Sequence, residues 1–393
     1  MIYSFGNYDL DTDRRELTGA DGALVRIEPS VFDLLEFLIE NRDRVVPKGE
    51  ILDHVWSGRI VSESTYTSRV TAARQAIGDS GTAQKFIRTV SRKGLRFVAE
   101  VRGNGAPEPE PTARPAVHAD QTVRYAKSAD GTRIAFAVSG SGPPLLRAAH
   151  QSTHLELEWN SPLFRPLFDA FGARHTLIRY DIRGSGLSDT SPVRFSMESH
   201  LEDLAAVAEA AGLDRFSLLA SHNSTTVAVR YAAENPSRVD RLVVQEGYVR
   251  GRALRGTDGE DPFVALVRGG AWNNPRGGYM RAWITLINPD LTRDQANALA
   301  DIMSAASSPA NVLANRSVFD DCDGRDFLSL IQMPTLVIHA RHDALNPVEE
   351  GRIIAVGIEG AEFRVVESAN TLCVAGDPTL DEQCSAILEF LAR

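Results

Sequence analysis

Hydrophobic residues recur at two spacings along this chain, and the switches between them mark out its elements. In residues 2–29, short alternating runs (IYSFGNYDL, ALVRIEP) flank the turn-rich DTDRREL and TGADGA, which predicts a small antiparallel sheet. FDLLEFLIENR then places Phe32, Leu35, Phe37 and Leu38 at helical spacing, with Ser30 as the expected N-cap. A second short helix is expected over Pro47 to His54, with Ile51, Leu52 and Val55 inward. A third is expected from Ser62 or Ser64 to about Ile77, stopped by GDSG. KFIRTVSRKGLRFVAEV reads as two strands around a Ser91–Gly94 turn.

Beyond Thr122 the period alternates between strand and helix. Strand-like runs are TVRYAKS, TRIAFAVSG, PPLLRAA, HTLIRYD, FSLLAS, RLVVQEG, PTLVIHA and EFRVVES, with helical patterns such as SHLEDLAAVAEAAG and TTVAVRYAAENP among them. That order predicts a mostly parallel sheet with helices on both faces. Between the two regions, GNGAPEPEPTARPAVHAD has almost no large apolar residues and cannot bury a core. The expected organisation is a head at 1–101, a linker at 102–121 and a body at 122–393. No internal repeat is found.

Composition adds limits. The chain has 393 residues, 43% hydrophobic and 24% charged, so a sizeable globular core is expected. Its net charge of −10 argues against a nucleic-acid coat from end to end. Three cysteines (Cys322, Cys373, Cys384) are too few for a disulfide framework or a cysteine-rich zinc cluster. The N-terminus lacks the basic lead and apolar core of a signal peptide, and no window approaches the ~18 apolar residues of a membrane span. A soluble, cytoplasmic protein without membrane partners is expected.

The charge is unevenly placed. From Arg59 to Arg102 there are nine basic residues against three acids, although residues 1–101 as a whole nearly balance. A small domain with one basic end has the electrostatic footprint of a nucleic-acid binder. Sheet, three helices and a C-terminal hairpin make a winged helix. ELTGADGALVRIEPSVFDLLEFLIEN, EILDHVW, VSESTYTSRVTAARQAIGD and FIRTVSRKGLRF, in that order, resemble the OmpR/PhoB-type effector domain. Leu95 stands where that family usually has Tyr, and Ala72-Ala73 interrupts its usual Arg-Leu-Arg run.

The resemblance implies binding to double-stranded promoter DNA. The third helix would enter the major groove with Ser64, Thr65, Thr67, Ser68, Arg69, Thr71 and Arg74. Arg88, Thr89, Arg92, Lys93 and Arg96 of the hairpin would meet the flanking backbone or minor groove. RNA polymerase is a further partner of this kind of domain, and paired half-sites imply a homodimer. With neither a receiver domain before the head nor a membrane span after it, the signal is expected to come from the body.

SGSGPPLL, DIRGSGLSD, SLLASHNSTTVAVRYAAENPSRVDRLVV and PTLVIHARHDALNP resemble the α/β-hydrolase fold over about 122–393, with a helical lid at about 250–330. Asp181, Arg183, Gly184 and Gly186 would form its tight turn after the fourth strand. Neither GSG segment completes a G-x-G-x-x-G that opens a helix, so no dinucleotide or other cofactor is expected. In this fold a strained G-x-S-x-G turn presents a serine, a late histidine removes its proton, and an acid orients that histidine.

Here the turn reads Ala220-Ser221-His222-Asn223-Ser224, with His222 at the nucleophile position. Asp343 keeps the acid position, and ESANTLCVAGDP puts Thr371 where the histidine belongs. No histidine follows His342. Ser221 is expected to point away from the pocket, and Ser224 to pack in the first turn of its helix.

The pocket can outlast the triad. His222, Asn223, Ser221 and the loop Ala149-His150-Gln151 would line its floor with Asp343 and Thr371, unless His150 is simply a satisfied loop residue. Trp272 and Trp283 of the lid would roof it. His150, His222 and His339 match no metal-ligand spacing, so no metal is expected. The resulting expectation is a one-component regulator whose non-catalytic body binds a small organic effector, for instance a carboxylate, an aromatic compound or a lactone. The alternatives are a regulator that retains esterase or lactonase turnover, and a protein-docking body with a filled pocket.

Overall fold

The computed structural model describes the chain except residues 1, 13, 20–21, 43, 57–62, 91–92, 100, 105–120, 192 and 257–260. It divides into two compact units, 1–114 and 115–393. The proposed linker falls almost entirely outside the described residues.

In the head, β1 (Ile2–Phe5), β2 (Tyr8–Asp11), β3 (Glu16–Thr18) and β4 (Leu24–Val25) form an antiparallel meander. Helices α1 (Pro29–Glu40), α2 (Lys48–Trp56) and α3 (Glu63–Ala76) follow, then a hairpin of β5 (Ile87–Val90) and β6 (Gly94–Phe97). β7 (Val101–Asn104) returns to pair with β1. Residues 102–104, assigned above to the linker, therefore complete the head's sheet in the order β4-β3-β2-β1-β7.

Ser30 is not the cap of α1. Pro29 occupies the first helical position with its φ already set, and extended Glu28 precedes it without a side-chain cap bond. Along α1, Val31, Phe32, Leu34, Leu35, Leu38 and Ile39 are buried at helical spacing. Leu52 and Val55 are only partly buried; Ile51 alone of the expected trio reaches the core. Among the described side chains of α3 only Val70, Ala73 and Arg74 are buried, which leaves its polar side outward.

The body is an eight-stranded sheet, with all eight strands at the runs read from the sequence. They are β8 (Thr122–Lys127), β9 (Arg133–Gly140), β10 (Pro144–Arg147), β11 (Thr176–Tyr180), β12 (Phe216–Ser221), β13 (Val239–Gln245), β14 (Thr335–Ala340) and β15 (Glu362–Val366). Their order is β15-β14-β13-β12-β10-β11-β9-β8, antiparallel only where β9 meets β8 and β11. β12, β13 and β14 are buried almost throughout, as a sheet covered on both faces requires.

The helices are α4 (Leu155–Trp159), α5 (Arg165–Gly172), α6 (Met197–Ala210) and α7 (Ser224–Glu234), then α8 (Pro262–Arg268), α9 (Gly278–Ile287), α10 (Arg293–Ala306) and α11 (Pro309–Asp320) of the lid. α12 (Arg325–Leu328), α13 (Val348–Gly357) and α14 (Leu380–Leu391) complete the unit. Strand order reverses at β10, so the carboxyl ends of β10 and β12 diverge into loops and leave a crevice between them.

Arg183 fixes the turn after β11. It is fully buried and donates to both Asp203 carboxylate oxygens, at 2.7 and 2.6 Å, and to Asp130 at 2.7 Å. Gly184 and Gly186 there have φ of 78° and 54°. A Cβ on Gly186 would fall 2.1 Å from an Asp181 oxygen, so the turn accepts only glycine at that position.

Candidate functional site

In the head, α3 presents Ser64, Thr67, Ser68 and Thr71 along one exposed groove with Ala72 and Gln75. Thr65 lies partly buried beside them, and Arg69 pairs with Glu28 at 2.7 Å. Arg88, Thr89, Lys93 and Arg96 of the hairpin are exposed, and Arg88 and Arg96 share a cleft with Arg42. Arg42 lies far from the basic run in sequence, which gave no signal that it shares this cleft. The Nε of Arg96 donates to its carbonyl at 3.2 Å.

Arg74 does not join this face. It is 8% exposed, and its guanidinium donates to the Ile87 carbonyl at 3.2 and 2.9 Å and to the Thr89 hydroxyl at 2.8 Å. It ties α3 to the hairpin as a structural strut. Arg92, also expected at the interface, lies outside the described residues.

In the body, the turn from β12 into α7 carries His222 at φ 52°, a left-handed conformation that costs a non-glycine residue about 1–3 kcal/mol. This bend turns His222 toward a cavity of about 100 Å³. Phe164, Phe263, Trp283, Ile287, Leu299, Ile302, Met303, Leu345 and Leu372 supply apolar lining. His150, Gln151, Asn223, Asn346 and Thr371 supply polar lining. The space suits a small organic molecule with an apolar body and one polar end.

Six of the ten residues expected at this site therefore line it: His150, Gln151, His222, Asn223, Thr371 and Trp283. Four do not. Ala149 is buried just past the end of β10 and does not line the cavity. Ser221 is buried in β12, its hydroxyl is unpartnered, and it does not line the cavity. Asp343 lies behind Thr371 and accepts its hydroxyl at 2.5 Å. Trp272 is 1% exposed, stacked edge-on against Phe263, with its indole N–H donating to the Ser307 carbonyl at 2.7 Å. It is lid core, because its position in a tight turn aims it inward. Ser224 caps its own turn, donating to the Ser221 carbonyl at 2.8 Å.

Leu299, Ile302 and Met303 were missed individually, although ANALADIMSAAS carried the amphipathic signal for their helix. Tyr248, Arg316 and Glu158 carried no local signal at all.

Electrostatics keep the floor neutral. Burial, then the positive charge of Arg147, push His222 down to about 3. Burial and Arg147 also hold His150 well below the usual histidine range. The two rings meet edge to face at 5.5 Å. Burial raises Asp343, and it raises Glu246 strongly at the end of β13. Glu158 and Arg316 are the charged side chains in the described lining, and both are already engaged. Glu158 faces Arg179 at 3.4 Å, and Arg316 holds Asp261 at 2.7 Å and Asp320 at 2.8 Å.

One contact alters the floor further. The backbone N–H of Gln151, in the loop after β10, donates to the side-chain oxygen of Asn223 at 3.2 Å. In this fold an N–H of that loop ordinarily faces the oxygen of a reacting carbonyl. Among the described residues, no group of three or more His, Cys, Asp or Glu could hold a metal, and no helix is long and apolar enough to cross a membrane. The three cysteines are free and buried.

Residues 152–370 match the α/β hydrolase fold family, and residues 22–97 match the family described as transcriptional regulatory protein, C terminal. A 2-hydroxy-6-oxononadienedioate/2-hydroxy-6-oxononatrienedioate hydrolase of Klebsiella pneumoniae is 28% identical over 275 residues, covering 67% of this chain and 88% of its own. A pyrrolizixenacetamide deacetylase of Xenorhabdus hominickii is 24% identical over 236 residues, covering 59% and 85%. An esterase structure from Exiguobacterium antarcticum has a TM-score of 0.59 at 19% identity, over 68% of this chain and 99% of its own, a likeness of fold.

Proposed function

Because the chain belongs to the α/β hydrolase fold family and carries an OmpR/PhoB-type transcription-regulator domain ahead of it, we propose that it is a one-component regulator whose body binds a small organic effector without cleaving it. The observation that carries this reading is the bond from Thr371 to Asp343 at 2.5 Å. The acid that would orient a catalytic imidazole is committed to a hydroxyl, which has no basic nitrogen to offer a nucleophile. His222, held neutral by burial and with its Nδ1 unpartnered among the described residues, supports the same reading. So does the donor N–H of Gln151, already taken by Asn223.

Effector occupancy would act through the lid, a homodimer contact or contact with RNA polymerase. For any of these, the effector must bind one state of the protein better than another. The test compares duplex binding of the full chain, with and without a trial effector, for the wild type and His222→Ala. The variant is expected to keep duplex binding and lose the effector response; loss of duplex binding contradicts the division of labour.

The second reading, a regulator that hydrolyses its effector, draws on relatives named as a hydrolase and a deacetylase. Incubation with ester and lactone panels, followed by mass spectrometry, separates the two. Product formed in proportion to protein and abolished by His222→Ala establishes turnover.

A further inference from the structure

The backbone of Gln151 orients two side chains at once. Its N–H donates to the Asn223 side-chain oxygen at 3.2 Å, and its carbonyl meets His150 Nδ1 at 3.1 Å. Each contact fixes one end of its partner. The Asn223 amide, held by its oxygen, is left with Nδ2 as a free donor. The His150 ring, neutral and donating from Nδ1 to a carbonyl, is left with Nε2 as a bare acceptor. Both residues line the cavity, and both of these atoms are buried without a partner. A buried donor and a buried acceptor left unsatisfied each destabilise the empty site, so a ligand that answers both is favoured.

We infer that the effector is an uncharged molecule of the lactam or carboxamide class, whose adjacent carbonyl and N–H answer the Asn223 donor and the His150 acceptor. This rests on the effector-binding reading above and narrows it. A lactone or ester supplies the carbonyl but sets an oxygen lone pair against His150 Nε2. A carboxylate does the same and carries no N–H to answer it. The apolar lining, with Phe164, Phe263 and Trp283, points to an aromatic or otherwise apolar body on the same molecule.

The test uses two ring systems of nearly equal shape: 3,4-dihydroquinolin-2-one, a benzo-fused lactam, and dihydrocoumarin, its lactone counterpart. Titration calorimetry on the full chain at about pH 8, where the histidines are neutral, is expected to give at least about tenfold tighter binding of the lactam. His150→Ala is expected to reduce that ratio to within about twofold, with circular dichroism as the check on folding. Asn223→Asp is expected to weaken both ligands. Equal affinities in the wild type, or tighter binding of the lactone, overturn the inference while leaving the cavity a receptor. Binding of neither compound also overturns the inference, and the effector reading then stands or falls on the duplex-binding comparison with His222→Ala. Opening of the lactone above its spontaneous rate and in proportion to protein overturns the non-catalytic reading instead, and is seen as continuing heat and as ring-opened acid in the mass spectrum.

Discussion

Arg74→Ala separates a structural strut from a DNA contact. The side chain makes three hydrogen bonds, to the Ile87 carbonyl and the Thr89 hydroxyl, and is 8% exposed. Bonds from a charged donor are worth roughly 1.5–3 kcal/mol each and do not add fully. Truncation also removes a packed aliphatic stem and strands a buried carbonyl. A loss of about 3 kcal/mol follows, and in a domain of about a hundred residues this lowers the midpoint by roughly 12–24 °C.

Scanning calorimetry of the full chain reads this on the head's transition, with the body's transition as an internal reference. Below the variant's midpoint, the salt dependence of binding to a random-sequence duplex is expected to match the wild type. Lys93→Ala and Arg96→Ala are each expected to flatten the slope by about 0.9 without moving the midpoint much. An unchanged head midpoint for Arg74→Ala, together with a slope lowered by about one, refutes the assignment and returns Arg74 to the interface.

The two lid tryptophans should part in the same way. Trp272→Ala opens a hole in packed core and is expected to cost about 3–5 kcal/mol, read as a urea midpoint of the body, with the lactam-to-lactone ratio unchanged. Trp283→Ala, at a partly exposed lining position, is expected to leave the midpoint near wild type and to weaken lactam binding in calorimetry. Asp79 supplies a pH test in the head. Its burial would raise its pKa, but N–H groups of Ser80, Lys85, Phe86 and Ile87, at 2.7 to 3.0 Å, outweigh that and hold it low. A depressed carboxyl stabilises the fold above its unfolded value and loses that contribution as pH falls through its folded value. The head is therefore expected to weaken below about pH 4, and Asp79→Ala to weaken it by about 2 kcal/mol at neutral pH while flattening the acid limb of a midpoint-against-pH curve.

The strands were legible because a sheet covered on both faces needs continuous apolar runs, and FSLLAS and PTLVIHA admit few other readings. The winged helix was legible for a similar reason: its order of alternating and helical periods is unusual. Single side chains were harder. The cation pattern groups Arg74 with its basic neighbours, yet it stands four residues after Val70 and three before Ile77, on the buried face of α3. Helical spacing carried that information where charge counting did not. Trp272 and Trp283 look alike in sequence, and only the turn around Ala271–Asn273 decides that one points into the lid and the other lines the cavity. The staple at Gln151 had no sequence signal, because it uses that residue's main chain to orient Asn223, seventy-two positions away.

Backbone strain bears on whether the cavity is a relic. Among the described residues, the non-glycine left-handed positions include Ser152 at φ 63°, His222 at 52° and Glu246 at 44°. These three fall in the loop after β10 and just past the carboxyl ends of β12 and β13, and Ser152 and His222 line the cavity. Each costs about 1–3 kcal/mol, which the surrounding sheet must offset. A body serving only as a docking block gains nothing from bending three neighbouring strand ends this way. The bend at His222 instead directs an imidazole into the cavity, between the apolar lid and the Gln151 staple. Relaxing that bend, for example with His222→Gly, should therefore cost ligand affinity while improving or preserving the body's urea midpoint. A variant that loses stability and keeps its affinity would mark the turn as scaffold alone.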